Sequence, residues 1–287
     1  MILKKIDLCL PVIIIKKCSK ISQFFRSYFN SVDIAKLFRF RSVHMAFTLA
    51  EVLITLGIIG VIASLTIPTV IAKQQEKATV VALKKSYSIL LNAYNIAVQE
   101  NGTPDTWSLI AEGSGEGAAN LINAIAPYLK IIKNCGNSTG CINPDIYYKN
   151  LTKIKSSTPA DSSTNTARAL LADGTLLLVW INEASCNKVT GTGTLENNCA
   201  DLYVDINGSK GPNTKGIDYF AFRLNKFGII PYGSEFESSG SDFSKACNNL
   251  STGSNNGVGC SAWVIFNQNL DYLKCDDLSW GNKTSCD

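Results

Sequence analysis

The segment FTLAEVLITLGIIGVIASLTIPTVIA, residues 47–72, decides how this chain is organised. Its 26 residues carry a single charged side chain, Glu51. A helix of this length reaches about 39 Å, which is enough to cross a hydrocarbon core about 30 Å thick with some tilt. We therefore expect a membrane-spanning helix. A basic flank precedes it and cysteines follow it, which predicts a cytoplasmic N-terminus and an extracytoplasmic remainder.

The helical pattern continues beyond the apolar segment but changes in character. After Lys73 the apolar residues recur three or four positions apart, as in an amphipathic helix: Val80, Leu83, Tyr87, Leu90, Leu91, Tyr94, Ala97 and Val98. Asn101-Gly102, with Pro104 just beyond, is a typical helix stop. The sequence thus predicts one long helix over residues 47–101, whose second half lies against a globular head formed by residues 102–287.

Glu51 is unexpected in this segment. A carboxylate four residues into an apolar span costs at least about 2–3 kcal/mol unless it has a partner. One interpretation is that the charge snorkels to the membrane surface. The other is that the charge has a partner and a role.

The residues around Glu51 favour the second interpretation. Residues 46–53, AFTLAEVL, resemble the processing site of type IV prepilins and type II secretion pseudopilins. In that family a basic leader ends in a small residue, a membrane aspartyl peptidase cuts there, and the new N-terminal Phe is methylated. A Glu four residues after that Phe and a proline twenty-one residues after it are typical of the family.

For this chain, the resemblance implies a leader over residues 1–46, cleavage between Ala46 and Phe47, and N-methylation of Phe47. It also implies roles in assembly for Glu51 and Pro68. Two features depart from the family pattern, because Ala46 stands where Gly is preferred and the leader is longer than usual. An uncut, membrane-anchored protein is therefore the alternative.

The implied function is that of a structural subunit, a pilin or minor pilin, in a type IV pilus-like filament. Its partners would be other pilin subunits, the prepilin peptidase, the inner-membrane assembly platform and the membrane itself. The protein would cross the inner membrane once and then enter a cell-surface or periplasmic filament, where Glu51 can meet the Phe47 amine of a neighbouring subunit. The alternatives are a type II secretion pseudopilin and, less favoured, a minor pilin that captures DNA.

Composition argues against an enzyme and against a nucleic-acid partner. The only histidine, His44, lies in the leader, so the processed protein would lack His-based acid–base and nucleophilic chemistry. Residues 1–46 carry nine basic and two acidic side chains, whereas the remaining 241 carry 18 basic and 21 acidic ones. The mildly acidic remainder does not favour nucleic acid. The carboxylate doublets Glu235/Glu237 and Asp276/Asp277 are interpreted as solvated turns.

Eight cysteines follow the apolar segment, an even number that is typical of a disulfide framework in an oxidising compartment. Zinc is disfavoured because no couple has CxxC spacing and no histidine lies nearby. Their grouping into close couples favours pairing in sequence order: Cys135–Cys141, Cys186–Cys199, Cys247–Cys260 and Cys275–Cys286.

The predicted head is mostly antiparallel sheet with disulfide-stapled loops, which with the long helix gives an α+β fold. We expect a second helix over residues 119–132, an exposed, mobile connection over 153–166, and a hairpin over 167–181 around Asp173-Gly174. The four tryptophans are expected in the core or at its rim. Further strands are predicted in DLYVDI, IDYFAFRLN, FGIIPYG and SAWVIF.

One loop of the head, residues 205–218, suggests a cation site. Oxygen-bearing side chains alternate with glycines, a composition that suits calcium, with Asp205, Asn207 and Asp218 as the preferred ligands. The loop is similar to ones in pseudopilin heads, some of which bind calcium. The alternative is an Asx/Gly turn held by its own hydrogen bonds. No other cofactor is predicted.

Overall fold

The computed structural model describes residues 48–238 and 240–286, so the predicted leader, Ala46 and Phe47 lie outside the described residues. Helix α1, Leu49–Asn101, runs unbroken for 53 residues and contains Pro68. Gly102 follows it with a left-handed φ of 79°, and its N–H caps the Val98 carbonyl at 3.0 Å. The predicted helix and its stop are confirmed. The described chain divides into two units, with the boundary between residues 64 and 65 in α1.

The second unit is built on one six-stranded antiparallel sheet, whose strands neighbour one another in chain order. Short connections suffice for such a meander, because every neighbour in space is a neighbour in sequence. Together with α1 it makes the fold α+β, as expected. The strands are β1 (Ile131–Gly136), β2 (Ala167–Leu171), β3 (Leu176–Ile181), β4 (Asn198–Asp205), β5 (Tyr219–Asn225) and β6 (Gly228–Pro231).

The predicted hairpin over residues 167–181 is present as β2 and β3. The turn between them contains Gly174, which adopts a φ of 88°, the left-handed conformation that a tight hairpin needs and glycine accepts without strain. The predicted strands in DLYVDI, IDYFAFRLN and FGIIPYG correspond to β4, β5 and β6.

One face of the sheet packs against the second half of α1 and against α2, Gly115–Ile125. Alternate strand residues, such as Leu202 and Val204 in β4, point into this core. From α1, Tyr94 donates a hydrogen bond to the Asn225 carbonyl at 3.0 Å, and Tyr87 stacks on Phe222 with ring centroids 5.4 Å apart. The amphipathic face predicted for the helix is thus the face that covers the sheet.

The opposite face of the sheet is covered by long loops and carries the intervening side chains. In β4 these are Asp201, Tyr203 and Asp205, all buried or nearly so. Trp107 and Trp263 are buried and Trp180 and Trp280 are partly buried, as expected for core and rim positions. The sheet therefore has an apolar face toward the helices and a mixed polar face under the loops.

Two segments of secondary structure differ from the prediction. The second helix starts earlier and ends earlier than expected, because Ser114 caps it through the Gly117 N–H and a 3₁₀ turn containing Pro127 ends it. The segment SAWVIF is helix α4, Cys260–Asn267, and not a strand. A short apolar run does not distinguish a helix from a strand, and here residues 260–264 are all buried, so the helix has no exposed polar face in its first half. A one-turn helix, α3, spans Phe243–Ala246.

Four disulfides close the loops, and they have the sequential pairing that the sequence favours. The bonds are Cys135–Cys141, Cys186–Cys199, Cys247–Cys260 and Cys275–Cys286. Each closes a loop of 6 to 13 residues. Covalent closure of these irregular segments reduces the entropy that the unfolded head can gain.

Candidate functional site

The start of α1 has a capping box formed by Thr48 and Glu51. The Glu51 carboxylate accepts hydrogen bonds from the Thr48 N–H at 2.9 Å and its hydroxyl at 3.0 Å, while the Glu51 N–H donates to Thr48 Oγ1 at 3.2 Å. Reciprocal bonds of this type satisfy backbone donors that a helix start otherwise leaves free. The carboxylate thus has a local partner within its own chain.

The first part of α1 is long and apolar enough to span a membrane. Its large apolar side chains are exposed on all sides, and the Ser64 hydroxyl is satisfied by the Val61 carbonyl one turn earlier, at 2.8 Å. Such internal satisfaction suits a helix with no water around it. An alanine Cβ at Gly57 or Gly60 would meet nothing within 4 Å, so these positions leave a smooth strip for close helix approach.

Pro68 lies within α1, 21 positions after Phe47, and the helix continues through it. A proline inside a helix has no N–H to donate to the preceding turn, which loosens the backbone there. The neighbouring hydroxyl of Thr69 bonds to the Thr66 carbonyl at 2.8 Å. The site that the sequence singled out in α1 therefore consists of a capped acidic start and an apolar span that contains Pro68.

The second predicted site, the loop over residues 205–218, brings its three proposed ligands together. One end of the Asn207 amide lies 3.3 Å from Asp218 Oδ2, and the other lies 3.0 Å from Asp205 Oδ1. Asp218 also accepts the N–H groups of Asn213 and Thr214 at 2.8 and 2.7 Å. These bonds, with the Asn207 N–H donating to Asp205 Oδ1 at 3.2 Å, are those of the Asx-turn alternative.

Electrostatics make Asp205 the unusual member of the loop. It is fully buried, and the equally buried Tyr148 hydroxyl interacts with its carboxylate. Burial, with the Asp218 carboxylate beside it as a smaller cause, raises the pKa of Asp205 to about 8. Burial also raises the pKa of Asp218. Over residues 48–238 and 240–286, no three His, Cys, Asp or Glu side chains form a metal-binding group, so calcium there would also need Asn207 and carbonyl oxygens.

A buried ion cluster on the polar face of the sheet was not predicted. Arg223 Nη1 donates to Asp201 Oδ1 at 2.8 Å and its Nε lies 3.3 Å from Glu237 Oε1. The guanidinium also lies 3.8 Å from the Tyr232 ring centroid. The interpretation of Glu237 as a solvated turn residue is wrong, because its carboxylate is fully buried against the only cation within reach among the described residues. The cluster ties the loop after β6 to the sheet, which is a structural role.

Comparison with protein-family models, curated proteins and solved structures finds no match to this chain. What the molecule does have is a long apolar helix and an antiparallel sheet head with four disulfides, an arrangement of elements that is pilin-like. The assignment of a function therefore depends on the start of α1 and on what surrounds it.

Proposed function

We propose that this chain is a structural subunit, a pilin or minor pilin, of a type IV pilus-like filament, processed before Phe47 and assembled through α1. The observation that carries the proposal is the combination of Glu51, the exposed apolar span and Pro68 on one unbroken helix. A helix that is apolar all round must be covered by lipid or by other helices. Bundling with copies of itself covers it outside the membrane.

In this assembly the charge of Glu51 pairs with the free Phe47 amine of a neighbouring subunit. A dry bundle penalises an unpaired charge strongly, so the pair sets the register of the subunits more than it stabilises them. A type II secretion pseudopilin would use the same contacts, and the two differ in which secretion or pilus system the subunit joins. A minor pilin that captures DNA is the less favoured alternative.

Mass spectrometry of material sheared from the cell surface tests processing and export together. We expect an N-terminal peptide that begins with N-methylated Phe47. Protein that starts upstream of Ala46, found only in membranes, would instead identify an uncut anchored protein.

Three variants separate the charge of Glu51 from its capping role. Glu51→Gln keeps an acceptor for the Thr48 N–H but loses the charge, since Gln also serves in a capping box. Thr48→Ala removes the hydroxyl half of the capping box and keeps the charge. Glu51→Ala removes the charge and the carboxylate half, while the residue 51 N–H still donates to Thr48 Oγ1. We expect Glu51→Gln and Glu51→Ala to reach the membrane but to fail to enter filaments, and Thr48→Ala to assemble. Normal assembly of Glu51→Gln would contradict the proposed pairing of the Glu51 charge with the Phe47 amine.

We propose, secondarily, that the loop over residues 205–218 holds a structural calcium ion. Two buried carboxylates in one loop, Asp205 and Asp218, support this, because a cation would neutralise charges that burial disfavours. Free calcium at ten times its dissociation constant should stabilise the protein by about 1.4 kcal/mol relative to chelator. Magnesium should do so less, and Asp205→Asn should abolish the effect. An equal response in Asp205→Asn would place the ion elsewhere.

A further inference from the structure

A cleft of about 590 Å³ lies on the polar face of the sheet and has no role in the sites described above. The segment 148–166 and the loop 252–255 form its walls, and Leu178 and Tyr219 contribute from the strands. Its volume lies in the range of small-ligand sites, about 300–1,000 Å³. The segment predicted as a mobile connection is a wall of this cleft, held by bonds such as Ser156 N–H to the Tyr148 carbonyl at 2.8 Å.

The charges that line the cleft are all positive. Lys149, Lys155 and Lys215 belong to its lining, and no acidic residue does. Within the described part of the chain, none of the three lysines has a carboxylate within 4.0 Å. Asp161, behind the wall, is already engaged by Arg168 Nε at 3.1 Å. An anion entering the cleft would therefore meet cations without meeting a like charge.

Lys215 is the lysine of the cleft whose ammonium is held in place by hydrogen bonds to neighbouring residues. It is partly buried, and its ammonium donates to the Ser254 carbonyl at 2.9 Å and to Asn255 Oδ1 at 3.2 Å. Burial lowers its pKa to about 8, so it remains mostly charged at neutral pH. Two neutral oxygens fix the position of the charge but do not neutralise it.

The remaining lining is rich in small hydroxyl side chains, which both donate and accept hydrogen bonds: Ser156, Ser157, Thr158, Ser162, Ser163 and Ser254. The two tyrosines of the cleft, Tyr148 and Tyr219, are only 9% and 6% exposed. They offer no platform on which nucleic-acid bases could stack. Fixed cations among hydroxyls suit a ligand that carries carboxylates and many hydroxyl groups.

We propose that this cleft binds an acidic polysaccharide, with Lys149, Lys155 and Lys215 pairing with sugar carboxylates and the serine and threonine hydroxyls bonding to the sugar hydroxyls. The binding site is separate from α1. The cleft could bind such a ligand in an anchored protein as well as in a filament subunit. A test of this binding is therefore independent of whether the protein assembles into filaments.

Binding of oligogalacturonate to the full chain, purified in uncharged detergent micelles, tests the proposal. Isothermal titration should detect binding that weakens as ionic strength rises. A neutral oligosaccharide of the same length should not bind, and a single-stranded oligonucleotide should bind more weakly. The triple variant Lys149→Gln, Lys155→Gln, Lys215→Gln should lose at least about tenfold in affinity.

A second triple variant, Lys84→Gln, Lys130→Gln, Lys245→Gln, matches the charge change at exposed lysines outside the cleft. It should bind within about twofold of the unaltered chain. The double variant Lys149→Gln, Lys155→Gln controls for misfolding, because neither ammonium forms a salt bridge in the described structure. The Lys155 ammonium lies 3.7 Å from the centroid of the Tyr147 ring, an exposed contact of small energy. This variant should still weaken binding. Equal loss in the two triples, tighter binding of the oligonucleotide, or no binding of oligogalacturonate would overturn the proposal.

Discussion

The Glu76 carboxylate on α1 holds Lys274, 198 residues further along the chain, through a 2.8 Å salt bridge. The same carboxylate accepts the Leu270 N–H at 2.9 Å. Asp271, beside them, accepts the Cys286 N–H at 2.9 Å and so draws in the final disulfide loop. One acidic side chain on the helix thus secures the C-terminal segment of the head.

Glu76→Ala should lower the free energy of unfolding by about 1–2 kcal/mol, because it leaves a partly buried backbone N–H without its charged acceptor. Urea denaturation followed by tryptophan fluorescence measures this. Glu112→Ala removes only an exposed contact with Lys188 at 3.7 Å and should stay within about 0.5 kcal/mol of the unaltered protein. Equal effects of the two changes would contradict an anchoring role for Glu76.

Arg223→Leu should lower the free energy of unfolding by about 3–5 kcal/mol at neutral pH, because Asp201 and Glu237 then remain buried without their cation. Burial already raises the pKa of Glu237. The cost should therefore shrink as the pH falls toward 5, where the Glu237 carboxylate takes up a proton and loses its charge. Replacing all three residues by leucine should recover most of the loss. A cost that does not change with pH would contradict this account.

The raised pKa of Asp205 leads us to expect that the free energy of unfolding depends on pH in the presence of chelator. Its folded pKa of about 8 lies above the ordinary value, so the folded protein holds a proton that the unfolded chain releases. The free energy of unfolding should therefore decrease as pH rises from about 4 to about 8. Asp205→Asn cannot titrate, and denaturation curves across this window should show a flatter profile for that variant. Parallel profiles would mean that Asp205 titrates normally.

Gly233 and Gly174 form a matched pair, because both have a φ of 88°. An alanine Cβ at Gly174 would meet nothing within 4 Å, whereas at Gly233 it would lie 1.8 Å from the Gly259 carbonyl oxygen. Gly174→Ala should cost about 1–2 kcal/mol for the left-handed backbone alone. Gly233→Ala should cost at least about 2 kcal/mol more, because the backbone segments around Gly233 and Gly259 must also move apart to make room for the methyl group. Thermal denaturation compares them, and equal costs would rule out the close approach.

Local patterns in the sequence were enough to predict α1, its stop at Asn101, the hairpin around Gly174 and the close cysteine pairs. Each of these depends on residues near one another in the chain. The helix Cys260–Asn267 was mistaken for a strand because a short apolar run fits both periods. Its environment, and not its own sequence, decides between them.

In the candidate sites, too, some features follow from residues close together in the sequence and others depend on tertiary packing. Thr48 and Glu51 have capping-box spacing, a signal that was present in the sequence but was overlooked beside the processing motif. The pairing of Asp201 with Arg223 follows from the register of β4 and β5, in which they are direct partners. That register depends on tertiary packing, so the cluster could not be derived from spacing alone.

The order of the disulfides bears on how the head matures. Each cysteine finds its partner 6 to 13 positions away, before the next couple begins. In the proposed filament subunit, the head crosses the membrane beginning with the end nearer α1, so every bond could close while later cysteines are still on the other side. Oxidation can then proceed couple by couple with no rival thiol downstream, and the correct pattern needs little reshuffling by an isomerase.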